Sequence, residues 1–443
     1  TRLLTVTGVQ TCALPIFYTS PVSGDVHHCS KFNARCVATD EHLNAIRLGL
    51  IAPHYSCQSC PHFAAGKKLT IGMATYRDWP GVWATIQSIR TNHQEALNDI
   101  EFVVVDNDPD GDPNGGEESH SGKCRRLVEH VGGIYDRFIK VQGTAAAKGR
   151  IFELATSPTV LVMDCHVLLP SLTLAWLIKF ASDNPDSKDL WQGPCIGDGG
   201  VDDIIGSHFD TRWGSLMYGQ WAIDQRVHGD DPFEIPMQGC GLFACHRAAW
   251  PGFHPLLRGF GPEEWHIQQR IRRNGGKALC LPFLKWCHRF GNPSGATVPG
   301  LAPEERLRGH LITWMDTGNN DQEWFLECKR HFLSSGMTEK LFAETVIKTR
   351  REFGAHTVGD KLAEILHECG IPDTKCQACR DWRQKMNHWG ADVCDTDKRT
   401  AIVARLDHEA ANSSWMDFIR VAGAGYLSTA AILDEAIKRA RGK

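Results

Sequence analysis

The stretch Ser157–Pro170, SPTVLVMDCHVLLP, constrains the fold of this chain more than any other. Thr159–Met163 is a run of apolar and β-branched residues, which reads as a strand buried on both faces. The run ends in Asp164-Cys165-His166. Residues two apart on an extended segment share a face, so the Asp164 carboxylate and the His166 imidazole point the same way. Open α/β sheets collect their ligands at the carboxyl ends of the strands. One oxygen and one imidazole at such an end predict a divalent-metal site that needs a third ligand from elsewhere.

The residues before this stretch alternate as an α/β sheet requires. Leu69–Thr75 reads as a first buried strand with Tyr76-Arg77-Asp78 at its tip, and Trp79–Asn92 as a helix with Val82, Ile86 and Ile89 on one face. Phe102–Asp106 is a second strand, Gly111–Gly122 a polar glycine-rich loop, Cys124–Val131 a helix and Arg137–Val141 a third strand. Ala145–Ala155 is a helix carrying Lys148 and Arg150. Asp108 and Asp110, after the second strand, read as turn residues.

The chain has 443 residues, enough for two or three domains. Its net charge of −4 gives no basic surface for nucleic acid, and no apolar run reaches transmembrane length. The expected division is 18–66, a cysteine-rich knuckle; 67–300, the catalytic α/β domain; and 301–443, a mostly helical region. Residues 1–17 resemble translated adapter sequence from a metagenomic gene end and are expected to stand outside the fold. A cytoplasmic protein of bacterial or phage-like source is the expectation.

Seventeen cysteines is a high number, and they cluster. Cys29, Cys36, Cys57 and Cys60 have the spacing of a four-thiolate zinc site, with an iron–sulfur cluster, disulfides or free thiols as alternatives. Cys369, Cys376, Cys379 and Cys394 form a second, weaker candidate for structural zinc, with buried thiols as the alternative.

Several motifs together resemble a known family. They are VVVDND, the helix with AKGRIFELA, then MDCH, then GCGLFACHR at Gly239–Arg247. Gly259–Gly276 and Trp286-Cys287-His288-Arg289 complete the set. Over roughly residues 67–291 this pattern resembles the family-2-like GT-A glycosyltransferases, in particular the catalytic domain of polypeptide N-acetylgalactosaminyltransferases.

The resemblance implies a Rossmann-like mixed sheet flanked by helices. It also implies a metal-dependent transfer of a sugar from a nucleotide donor, UDP by expectation, to an acceptor hydroxyl. Thr75 and Asp106 would hold the uridine, and Arg77 the diphosphate or base. Asp164, His166 and His288 would hold Mn²⁺, with Lys148, Arg150 and Arg289 adding positive charge. Glu263 or Glu264 would orient the donor sugar or acceptor hydroxyl, or act as base if the reaction inverts.

Departures from the family pattern are Phe260 for Trp, Pro262 for Gly, Glu264 for Asn and His266 for an acid, so donor-sugar identity is not carried over. Trp213 and Trp221 could stack on a sugar or belong to the core. The tail does not resemble the β-rich lectin domain of the animal members, so no peptide acceptor is implied, and the acceptor, carbohydrate or protein, is left open. The alternative is a catalytically inactive nucleotide-sugar-binding or zinc-stabilised interaction protein. A nucleotidyltransferase would be expected to carry a glycine-rich phosphate loop after the first strand, and Ala74-Thr75-Tyr76-Arg77 is not one.

Overall fold

The computed structural model describes residues 66–197, 199–289, 302–317, 322–368, 377–412 and 428–442, with the backbone of two short strands before them. Those two strands, β1 (Val26–Cys29) and β2 (Ala34–Val37), pair antiparallel. Cys29 and Cys36 lie on them, while Cys57 and Cys60 fall outside the described residues, as does all side-chain detail of this first candidate zinc site.

The main sheet begins with β3 (Leu69–Thr75), followed by helix α1 (Trp79–Asn92). Asp78 caps α1 by accepting from Gly81 N at 3.1 Å, and Pro80 stands in the first turn, where its missing N–H costs nothing. Next come β4 (Ile100–Asp106), α2 (His120–His130), β5 (Ile134–Arg137), α3 (Thr144–Leu154) and β6 (Thr159–Asp164). The third strand therefore falls earlier than the expected Arg137–Val141. The Asn107 amide donates to the carbonyls of Phe138 and Val141 at 2.6 and 3.0 Å, and these bonds fasten that segment as a loop.

The chain continues through β7 (Val167–Leu168), α4 (Thr173–Asp183), β8 (Leu190–Gln192), β9 (Cys195–Ile196), β10 (Ile204–Gly206) and the ribbon β11 (His208–Gly214) and β12 (Met217–Ala222). Then follow β13 (Phe233–Glu234), β14 (Leu242–His246), α5 (Glu263–Arg273), β15 (Ala278–Cys280) and β16 (Trp286–His288). The eight-stranded sheet has the order β13-β15-β8-β14-β6-β3-β4-β5. Strands β6, β3, β4 and β5 are parallel, and β14 runs against β6. Because β4 and β6 flank β3 on opposite sides, the strand order reverses at β3, where α/β sheets open a ligand crevice.

The strand residues alternate between two cores. Leu161 and Met163 of β6 join Ile71, Met73 and Val104 on one face; Val160 and Val162 join Val103 and Val105 on the other. This two-sided burial is what the unbroken apolar runs require.

The C-terminal region is helical: α6 (Pro303–Asp316), α7 (Gln322–Ser334), α8 (Glu339–Gly354), α9 (Val358–Glu368), α10 (Gln377–Asp395), α11 (Arg399–Asn412) and α12 (Thr429–Ala440). Helices α6 to α8 share one apolar core with Met237 and Trp265, so packing continues across residue 300. Leu307 and Leu311 are buried there, and each such side chain contributes about 1.5–3 kcal/mol. Helices α9 to α12 have a core of their own.

Trp213 packs against the core of α6 to α8, and Trp221 against the core of the main sheet. Trp213 lies 5.4 Å from Trp324 and 5.3 Å from His331 between ring centroids, and Trp221 lies 4.5 Å from Phe209. In the second cysteine group, Cys369 and Cys376 fall outside the described residues. Cys394 is buried in the apolar core of α9 to α12 and donates to Met386 O at 3.5 Å. Burial, with Asp395 nearby, pushes its thiol up to about 12.

Candidate metal and substrate site

Three side chains converge at the carboxyl ends of the central strands. Asp164 ends β6, and two residues of turn later β7 begins, placing His166 beside it. β16 pairs antiparallel with β7, with His288 opposite Val167, which carries the His288 imidazole to the same place. His288 Nε2 lies 3.2 Å from His166 Nε2 and 3.3 Å from Asp164 Oδ2. The three donor atoms lie within 4.8 Å of one another. Ligands about 2.1 Å from one ion stand about 3 to 3.5 Å apart, so two imidazoles and a carboxylate at these separations fit a divalent cation.

The surroundings prepare each ligand. Asp164 N donates to Gly241 O at 2.9 Å, and a Cβ added at Gly241 would stand 3.5 Å from Asp164 Oδ2 and 2.7 Å from the Trp286 ring. Lys148 Nζ lies 2.9 Å from Asp164 Oδ1 and donates to Cys240 O at 2.7 Å, with its side chain only 4% exposed. Burial opposes the Asp164 charge, but Lys148 and the two histidines hold its pKa well below the usual carboxylate range. Burial likewise opposes the Lys148 charge, and Asp164 outweighs it and raises the ammonium.

Asp78 is the residue that sequence reasoning missed. Its Oδ1 caps α1 while its Oδ2 accepts from His166 Nδ1 at 2.8 Å and from Arg289 Nη2 at 2.6 Å. A carboxylate can only accept, so His166 carries its proton on Nδ1 and presents the Nε2 lone pair to the site. Burial works against the Asp78 charge, yet the bonds from His166 and Gly81 and the Arg289 charge leave its pKa lowered. The cap was legible in the sequence Asp78-Trp79-Pro80; the second oxygen's reach across the fold was not.

The other expected residues divide. Thr75 ends β3, 4% exposed. Asp106 is 2% exposed, and its oxygens accept from Asp108 N at 3.0 Å and Tyr135 OH at 2.7 Å, so the chain itself engages the carboxylate implied to hold uridine. Arg77 has φ 54° and is clamped by Asp108 at 2.9 Å and Asp110 at 2.7 Å, which makes those turn residues its partners. With Gly111, Ser119 and His120 it lines a cavity of 510 Å³. Arg289 joins the site through Asp78.

Arg150 does not join it. It pairs with Asp136 at 2.9 Å and Glu153 at 2.7 Å. Lys148 and Arg150 are two residues apart on α3, about 200° around the axis, so only one of them can face Asp164.

Glu263 and Glu264 open α5 and are 1% and 7% exposed. Glu263 is held by the Thr144 hydroxyl and by Gly261 N, the latter at 2.8 Å. Glu264 Oε2 has no hydrogen-bond partner among the described residues. Burial, and then the neighbouring Glu263 charge, push the Glu264 carboxyl well above its ordinary value.

No family model matches the chain, and no curated protein matches it. Among solved structures it is similar to the crystal structure of GalNAc-T7 with UDP, GalNAc and Mn²⁺, at 18% identity and a TM-score of 0.45, over 57% of this chain and 48% of that one. The chain thus spans about half that protein's length. It is also similar to S. aureus TarS 1-349, at 13% identity and a TM-score of 0.39, over 69% of this chain and 78% of that one. At identities and TM-scores this low, neither likeness assigns an activity.

Proposed function

We propose that the protein is a divalent-metal-dependent glycosyltransferase that takes a sugar from a UDP donor. The observation that supports this most is the meeting of Asp164, His166 and His288 at the point where the strand order reverses. The residue pattern resembling GT-A glycosyltransferases supports it independently of the geometry.

Asp164, His166 and His288 would hold Mn²⁺, which when bound would neutralise the charge building on a departing diphosphate. Asp78 fixes the His166 tautomer, and Lys148 keeps Asp164 ionised without occupying Oδ2. Arg289 sets a second cation beside the site. Glu263 or Glu264 would orient the donor sugar or the acceptor hydroxyl, or act as base if the reaction inverts.

The test is hydrolysis of a panel of UDP-sugars with and without Mn²⁺, in the native chain and in His288→Ala. Manganese-dependent release of UDP, lost in the variant, is the expected result. Binding without turnover under all conditions would favour the inactive nucleotide-sugar-binding protein, and activity unaffected by His288→Ala would overturn the metal assignment.

A further inference from the structure

Helix α6, from the C-terminal region, packs directly on the turn that starts α5. A Cβ added at Gly309 would stand 2.5 Å from Pro262 Cγ, so the helix approaches as closely as a glycine allows. This contact sets the first turn of α6 over Phe260–Glu264. Arg306 in that turn lays its guanidinium over the Phe260 ring, 5.8 Å from the centroid, and its Nη1 donates to Ser215 O at 3.1 Å. Its Nε is buried and has no hydrogen-bond partner among the described residues. Glu264 Oε2, on a side chain more than nine-tenths buried, is in the same condition. Arg306 lies within electrostatic range of Glu264 and Glu263. Both atoms belong to the contact between α6 and the start of α5, and buried polar groups ordinarily have partners.

We propose that Arg306 and Glu264 form a subsite that grips one hydroxyl of the donor sugar, making Arg306 a specificity-determining residue supplied by the helical region. The inference rests on the UDP-sugar reading. A hydroxyl has one donor and two acceptor positions, so a single oxygen can accept from Arg306 Nε and exchange a hydrogen bond with Glu264 Oε2. An anionic group would have to enter beside the Glu263 carboxylate, in surroundings that already disfavour charge on Glu264; a hydroxyl brings no charge. Glu263 is less suited to this role, since Thr144 and Gly261 already hold its two oxygens.

The test is calorimetric titration of the full chain, with Mn²⁺, by UDP and by UDP-glucose, UDP-galactose and their N-acetylamino counterparts. One UDP-sugar should bind more tightly than UDP. Arg306→Ala should lose about tenfold of that preference while its affinity for UDP stays unchanged. Monodeoxy analogues of the preferred donor should show one position whose loss costs the native chain about tenfold and costs Arg306→Ala nothing further. The analogue series on the native chain alone decides the matter should the variant not fold. A retained preference in Arg306→Ala, or no sensitive hydroxyl, overturns this inference and leaves the donor reading standing. No binding of UDP with Mn²⁺ overturns both.

Discussion

Asp78 Oδ2 lies 2.8 Å from His166 Nδ1, and the same oxygen accepts from Arg289, the neighbour of His288, at 2.6 Å. One helix-capping carboxylate thereby ties together the two segments that carry the imidazoles. It also fixes which nitrogen of His166 faces the cation.

Replacing Asp78 by Asn separates these roles. Asn caps a helix as well as Asp but gives up the buried ion pair with Arg289, so stability should fall by about 1–3 kcal/mol. The carboxylate that raises the basicity of His166 is gone, and Mn²⁺ affinity should fall about 10- to 100-fold. Titration calorimetry beside thermal unfolding measures both; undiminished affinity would mean that Asp78 does not orient a ligand.

Lys148→Met removes the buried counter-charge of Asp164. Breaking such a pair costs about 3–5 kcal/mol, and because Asp164 keeps a side-chain exposure of 27% the lower end is expected. Added Mn²⁺ should recover part of the loss, since it replaces the missing positive charge and binds only the folded chain. Unfolding of the variant with and without Mn²⁺ tests this, and equal destabilisation in both conditions would refute it.

Gly241→Ala should disturb the site without touching a ligand. The new methyl would meet the Trp286 ring at 2.7 Å, and that ring is 2% exposed and held by a 2.7 Å bond from its Nε1 to Gly193 O. With the indole fixed, the strain should cost about 1–3 kcal/mol and shift Asp164. Weaker Mn²⁺ binding with a lowered melting temperature is the expected pair of results; a variant with native values for both would show that the site is looser than these distances indicate.

Stability should fall with acid in a defined window. Burial lowers His266 to about 4 and His310 to about 3, from an ordinary 6.5, despite the Asp316 bond to the first and the Leu216 carbonyl near the second. Burial also places His254 well below that value. Their folded-state pKa values are depressed, so the unfolded chain binds more protons below pH 6.5. The stability they contribute is complete above pH 6.5 and is lost progressively as the pH falls towards 3. Denaturant unfolding at successive pH values should show this decline, and His310→Asn should flatten it; a flat profile between pH 6.5 and 4 would exclude the assignment.

Much of the sheet was legible. Leu69–Thr75 and Trp79–Asn92 have the bounds that their periodicity predicts, because apolar runs and a capped helix start are local properties. The strand expected at Arg137–Val141 was misplaced because two hydrogen bonds from Asn107, more than thirty residues away, bind that segment as a loop. Lys148 and Arg150 were equal candidates as letters, and the turn of one helix around its axis separated them. Arg306 carried no local signal at all, since its place depends on a helix docking onto a turn more than forty positions earlier.

The sequence by itself determined that an oxygen and an imidazole would share one face at the end of a buried strand, because backbone periodicity fixes residues two apart. Only the tertiary structure decided that His288, 122 residues from His166, would complete the group, since that depends on β16 pairing with β7. It also decided that Asp78 and Lys148 would stand behind the ligands. Contacts across such separations are set by how sheets and helices pack, and no short stretch of sequence encodes them.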